Sequence, residues 1–270
     1  MTTIPIRQHE KLANIQASTP RTVVFPEVSN KIHVAMGMRR TGKTCLLLQT
    51  MQYLVHTQGL PLECCLYLNF EDDRLLPCSQ EKLSALLEGF YRRYPDNHHR
   101  RCYLFLDEIQ NVEDWPVVIR RFFDTKQVQI YLSGSSAKLL SKEIATSLRG
   151  RSIATEVWPY SFREYLDASS LNVQLYPGSQ SWYDHHIQHL KSYLHTGGFP
   201  EISQTPAVYH RQLLQDYVEV VIMRDIIERH HITQIALIKY LIQFLLKHAG
   251  CSFSVNKLAN DIKSQGLGGS

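Results

Sequence analysis

The sequence predicts an α/β fold: a parallel sheet with helices on both faces, followed by an α-helical region. Three observations carry this. An apolar run, Ile32 to Met36, leads into Gly37-Met38-Arg39-Arg40-Thr41-Gly42-Lys43-Thr44, the G-x-x-x-x-G-K-[ST] spacing of a phosphate-binding loop between a strand and a helix. A second apolar run, Cys102 to Leu106, ends in the adjacent acids Asp107 and Glu108. Around these runs, strand-like segments alternate with helical patterns, the order that winds a parallel sheet, until helices alone remain beyond about residue 160.

Residues 1 to 30 read as a helical lead-in and a proline-flanked strand, Thr22 to Phe25. A strand over 31–36, the glycine loop and a helix from Thr44 to about Thr57 come next, then a continuous apolar run, Cys64 to Phe70, typical of a strand buried on both faces. A helix at about 80–94 precedes the strand ending at Asp107 and Glu108. Asp114-Trp115-Pro116 opens another helix, since the first turn can spare the N–H that proline lacks, and Val128 to Leu132 is a further strand. In such a sheet the crevice forms at the C-terminal strand ends, where Asn69, Asp107, Glu108 and Ser133 all fall.

Trp158-Pro159-Tyr160 breaks the last strand, and helices are expected over 161–168, 183–195, 209–230 and 235–249, with a turn at Gly197-Gly198-Phe199-Pro200. The expected division is a sheet domain over 1–160, a helical domain over 161–234 and a third region over 235–270. In that third region Ile235, Ile238, Leu241, Ile242 and Leu245 share one helix face, and Ser254 caps a short helix with Val255, Leu258, Ala259 and Ile262 on one face. The pair resembles the first two helices of a winged helix-turn-helix. The recognition helix should come next. Gly266-Leu267-Gly268-Gly269-Ser270 has a flexible-linker composition instead, so a truncated winged helix is expected.

The glycine loop predicts a nucleoside triphosphate. Its glycines let backbone N–H groups turn in around the phosphates, and the following helix offers its positive end to the same anion. Lys43 reaches the β- and γ-phosphates and Thr44 supplies a hydroxyl to Mg²⁺, within a site expected to run from Gly37, Met38, Arg39, Arg40, Thr41 and Gly42 to Cys45. Two strand-end carboxylates divide the remaining labour, Asp107 toward the metal and Glu108 as general base for water.

Composition sets outer bounds. The 270 residues suffice to bury roughly 70–75% of the unfolded surface. No segment approaches the ~20 unbroken apolar residues of a membrane span, and the first residues lack the apolar core of a signal peptide, so the chain reads as cytoplasmic. A net charge of +4 falls short of the basic balance that would by itself indicate nucleic acid. The six cysteines show no C-x-x-C spacing, which argues against structural zinc and disulfides. His185 and His189 lie one helical turn apart, but with Asp184 as the one acidic neighbour in register they read as a surface helix rather than a metal site.

Together these segments resemble prokaryotic AAA+ superfamily ATPases of the archaeal type, with a C-terminal helical region and a winged helix of unknown function. The resemblance is carried by GMRRTGKT at 37–44, YLNFED at 67–72, YLFLDEIQNVEDW at 103–115, LSGSSAKLLS at 132–141, SLRGRS at 147–152, WPYSFREYL at 158–166, GGFPE at 197–201 and RDI at 224–226. It implies an AAA+ sheet, Mg-ATP hydrolysis and a nucleotide-dependent homo-oligomer. Asn69 is then similar to the polar residue that restrains the catalytic glutamate, and Ser133 or Ser135 to the sensor of the γ-phosphate. Arg149 and Arg151 resemble arginines that approach a nucleotide in cis or from a neighbour; the alternative for each is a plain ion pair. The expected function is a nucleotide-driven regulator or remodeller contacting DNA through the complete C-terminal domain. A slow assembly switch acting on a protein partner is the alternative, and a metabolic kinase is disfavoured because an Asp-Glu pair suits activation of water.

Overall fold

The computed structural model describes residues 19–135, 148–169, 178–228, 231–264 and 266. The helical lead-in, most of the 132–141 segment and the last four residues lie outside the described residues.

The strands are β1 (Ile32–Gly37), β2 (Cys65–Asn69), β3 (Cys102–Asp107), β4 (Val128–Ser135) and β5 (Ser152–Glu156). They form a sheet of order β2-β3-β4-β1-β5 in which every pairing is parallel. From β1 the chain crosses to β2 at one edge, and after β4 it passes over β1 to place β5 at the other. The C-terminal ends of β1 and β3 therefore flank β4 at the point where the winding direction reverses, the place where such sheets bind ligands.

Both faces of the sheet are covered, which is why its strands are continuous apolar runs rather than alternating ones. One face (Val34, Leu66, Leu104, Ile130 and their i+2 neighbours) packs against Leu83, Leu87 and Phe90 of α2 (Gln80–Arg93) and Val118, Ile119 and Phe122 of α3 (Trp115–Thr125). The other (Ala35, Tyr67, Phe105, Tyr131) packs against Leu46, Leu47 and Met51 of α1 (Lys43–Gln52). Ser79 caps α2, its hydroxyl accepting the Lys82 N–H at 3.3 Å. β4 runs three residues past the expected Leu132 because its ladder with β1 continues to the pair Gly37 and Ser135.

The strand expected over Thr22 to Phe25 joins no ladder. Prolines 20 and 26 bracket it without N–H groups. The Thr22 N–H goes to Glu164 Oε1 at 2.8 Å, the N–H of Arg21 just before the segment goes to Gln49 Oε1 at 3.1 Å, and Phe25 is buried on the α1 face.

The chain divides into two compact units, Met1–His210 and Arg211–Ser270. The first holds the sheet together with α4 (Phe162–Ala168), α5 (Gln180–Thr196) and α6 (Pro200–Ser203). A full capping box starts α4: the Ser161 hydroxyl accepts the Glu164 N–H at 3.3 Å, and the Glu164 carboxylate accepts the Ser161 N–H at 2.8 Å. Next in the chain comes α7 (His210–Val220), continued by a wider helical stretch to Glu228. Within the second unit lie α8 (Ile235–Lys247) and α9 (Val255–Ser264), the pair expected from the sequence. Lys239 of α8 pairs with Glu219 at 3.0 Å, and Phe244 meets Phe253 edge to face at 5.7 Å. No helix among the described residues is long and apolar enough to cross a membrane.

Candidate active site

The phosphate loop starts where β1 can go no closer to its neighbour. The Val157 N–H donates to Met36 O at 2.6 Å, and a Cβ on Gly37 would run into the Val157 carbonyl. Arg40 (φ 63°) and Gly42 (φ 93°) then turn through the left-handed region, and the Thr41 hydroxyl closes the loop onto Met38 O at 2.9 Å. Gly42 is the N-cap of α1 and has no side chain to accept a hydrogen bond, so N–H groups of the first helical turn remain available to an anion. Lys43 is buried, its Nζ donating to Gly37 O at 3.2 Å and Met38 O at 2.8 Å and lying 3.7 Å from Glu108 Oε1. Burial lowers its pKa, against the opposing pull of Glu108 and Asp107.

Asp107, fully buried at the end of β3, is the hub of the site. Its Oδ2 accepts the Thr44 hydroxyl at 2.7 Å and the Tyr67 hydroxyl at 2.7 Å, and its Oδ1 accepts the Ser133 hydroxyl. Burial, and after it the charge of Asp107, pushes the Tyr67 phenol far up, which keeps it a donor. Ser133 also accepts the Glu108 N–H at 3.0 Å. That bond fixes the backbone where the chain leaves β3, with Glu108 itself in the left-handed region at φ 53°. The Glu108 carboxylate is largely buried and accepts the Gln110 side-chain amide. Burial raises its pKa, and the Lys43 charge opposes that rise.

Residues 29–166 match the family model described as AAA domain, which spans the sheet, the phosphate loop and the Asp107 hub. The chain belongs to the AAA domain family. It is thereby a member of the AAA+ P-loop ATPase superfamily. Residues 187–267 match a second model, a domain of unknown function. An uncharacterized protein of Methanocaldococcus jannaschii is 36% identical over 245 residues, 90% of this chain and 52% of the relative. Another, from Haemophilus influenzae, is 30% identical over 234 residues, 87% and 56% of the two chains. The chain spans about half the length of the curated relatives it matches. Among solved structures, AMPPCP-bound DnaA from Aquifex aeolicus aligns with 91% of this chain and 69% of that one, at 16% identity and a TM-score of 0.41.

The other expected residues of this AAA domain take varied places. Asn69 stands opposite Asp107 in the β2–β3 register, and its Oδ1 accepts the Glu71 N–H at 2.9 Å; the group bonded to the Glu108 carboxylate is Gln110. Ser135 stands opposite Gly37, with its side chain outside the described residues. Arg39 pairs with Glu71 at 3.1 Å, Arg40 pairs with Glu201 of the Gly-Gly-Phe-Pro-Glu turn, and Cys45 is half-buried against the α1 face. Arg149 and Arg151 precede β5, whose first residue pairs with Ile32, the first residue of β1. They thus lie at the N-terminal edge of the sheet, a strand length of about 17–20 Å from the phosphate loop of their own chain. Arg151 forks onto Asp124 at 2.9 and 3.1 Å, and Arg149 is exposed.

On α5, His186 stacks on Trp182 at 3.9 Å and His185 lies 4.4 Å from His189. Among the described residues no group of three or more His, Cys, Asp or Glu could hold a metal ion. Three further residues touch the site, and no linear motif assigns them a role there: Tyr67, Gln110 and Arg21. Tyr67 reaches Asp107 only through the β2–β3 register, which no linear pattern displays. Gln110 stood inside the Asp-Glu-Ile-Gln segment, and its role needed the turn at Glu108.

Proposed function

We propose that this chain binds Mg-ATP and hydrolyses it, and that the nucleotide state governs the helical segments that follow the sheet. One observation supports this above all: Thr44 and Lys43 of the phosphate loop and the carboxylates of Asp107 and Glu108 converge on one site, through the 2.7 Å Thr44–Asp107 bond and the 3.7 Å approach of Lys43 to Glu108.

The donor set suits a magnesium ion, because a hydroxyl and a carboxylate oxygen already in contact beside a helix N-terminus are the hard ligands it takes alongside substrate phosphates. Bound there, the metal would supply charge neutralisation at the β- and γ-phosphate oxygens. Everything else falls to side chains. Lys43 would exchange its bonds to the Gly37 and Met38 carbonyls for phosphate oxygens. Glu108, its basicity raised by burial, would take the proton of the attacking water once Gln110 lets go of its carboxylate. Ser133 would hold the Glu108 backbone in place, and Asn69 and Ser135 would flank the phosphates at the same sheet edge. Arg149 or Arg151 would act on the nucleotide of a neighbouring subunit, since both stand at the far edge of their own sheet.

A regulator or remodeller, contacting DNA through a winged helix that α8 and α9 begin, remains the broader reading. The slow assembly switch is favoured by the resting state of the base, because a glutamate bonded to Gln110 and paired with Lys43 must be released before it can act. The deciding test is Lys43→Ala with a fluorescent ATP analogue. Loss of a charge-assisted contact worth ~1.5–3 kcal/mol should weaken binding about tenfold or more. Unchanged affinity overturns the ATP reading.

A further inference from the structure

Arg21 lies outside the phosphate loop and before the first strand, yet its side chain is only 3% exposed. Its guanidinium makes three different attachments. Nη1 donates to the Thr41 carbonyl of the phosphate loop, Nη2 to the Trp158 carbonyl at 2.8 Å, and Nε to Glu164 Oε1 at 2.9 Å. The Tyr160 ring lies against it, 5.2 Å from centroid to guanidinium carbon. Glu164 is itself fixed, since Oε1 also accepts the Thr22 N–H at 2.8 Å and Oε2 the Ser161 N–H of the α4 capping box. Burial disfavours this carboxylate, but the bonds from Arg21, Ser161 and Thr22 outweigh it and hold its pKa down at about 2. One planar cation therefore joins the segment before β1, the phosphate loop and the segment after β5.

We propose that Arg21 is a positioning residue for nucleotide binding, which sets the Thr41–Gly42 peptide plane and so aims the Gly42 N–H at the phosphates. The proposal rests on the ATP reading above. In a trans peptide the carbonyl and the following N–H point in opposite directions. With the Thr41 carbonyl held by Arg21 on one side, the Gly42 N–H is turned to the other, where it joins the N–H groups at the start of α1. The same contact explains why residue 42 has to be glycine for a second reason besides its left-handed φ: a Cβ there would lie 2.7 Å from Arg21 Nη1. Lysine could not do this work, because a single ammonium cannot serve Thr41, Trp158 and Glu164 in the divergent directions of the fork. Glu164 acts through Arg21 rather than on the nucleotide, holding the fork in register with the loop.

The test is a titration of a fluorescent ATP analogue into Arg21→Ala, Arg21→Lys, Glu164→Gln and Lys43→Ala, each well below its own melting temperature, with the Tm of the nucleotide-free protein recorded alongside. Arg21→Ala is expected to raise Kd about tenfold, by freeing one peptide of the anion cradle, and Arg21→Lys to recover little of it. Glu164→Gln should raise Kd less than Arg21→Ala does, and adding it to Arg21→Ala should change Kd no further. A purely structural role predicts a lower Tm with Kd unchanged while the protein is folded, and that outcome overturns the proposal. So does full rescue by lysine. If Arg21→Ala does not fold, the same two outcomes are read from Arg21→Lys. Lys43→Ala separates the two failures: if it loses binding while folded Arg21 variants do not, the positioning role is wrong and the ATP reading stands; if it too binds normally, the ATP reading itself fails.

Discussion

Strand β3 and helix α8 are both almost wholly apolar, and they meet opposite fates. Leu104, Phe105 and Leu106 of β3 have no exposed surface, and Asp107 beside them is equally buried because three hydroxyls satisfy it. No residue of α8 is buried; Leu245 and Leu246 stand 47% and 61% exposed. Apolar composition states a demand for burial, and neighbours decide whether it is met. A central strand of a parallel sheet is covered twice over by the helices its own crossovers place on each face. The second unit, by itself, has the pair α8 and α9 and the helical run from α7 to Glu228 to share among its apolar faces. The comparison also shows why chemistry collects at β3: only a rigid, fully packed strand can hold a buried carboxylate in one position against its hydration cost.

Phe105→Ala should give the largest effect, because the ring is fully buried and stacked on Tyr131 at 4.9 Å, and such truncations cost about 3–5 kcal/mol. Chemical denaturation measures it, and a cost below about 1 kcal/mol would mean that the sheet core is less tightly packed than its geometry. Next comes Glu108→Gln, which should bind ATP normally and hydrolyse it about 10²-fold more slowly, since an amide cannot take the water's proton. The wild-type rate should fall on acidification from above the ordinary carboxylate range, because burial raises the Glu108 pKa and its basic form is lost as pH drops through that raised value. A single-turnover pH profile tests this; a rate flat down to the ordinary range would assign the base elsewhere. The smallest effect belongs to Leu246→Ala, within about 0.5 kcal/mol, as for surface substitutions. A cost comparable to that of Phe105→Ala would show that α8 is covered in solution and would collapse the contrast with β3.

Much of the site was legible in linear form. The spacing from Gly37 to Thr44 and the run ending at Asp107 and Glu108 report backbone constraints that operate within a few residues: a tight anion-holding turn, and a buried strand with acids at its edge. Asn69 ends β2, with its Oδ1 accepting the Glu71 N–H, and the side-chain amide bonded to the Glu108 carboxylate is that of Gln110. That choice depends on the left-handed turn at Glu108, a feature set by the Ser133 bond from a strand 25 residues further on. Thr22 to Phe25 has the composition of a strand but joins no ladder: prolines bracket it, and its first N–H, that of Thr22, goes to the Glu164 side chain.

Local periodicity and short backbone spacings carry the order of strands β1 to β4 with the helices between them, the phosphate loop and the two acids. Contacts between distant parts of the chain set β4 between β1 and β3, bring Tyr67 and Ser133 to Asp107 beside Thr44, put Arg149 and Arg151 at the opposite sheet edge, and close Arg21 onto the loop. The physical reason is the same in each case. These contacts join residues tens to more than a hundred positions apart, and their partners are chosen by strand register and by which buried polar groups still lack a hydrogen bond when the chain has closed.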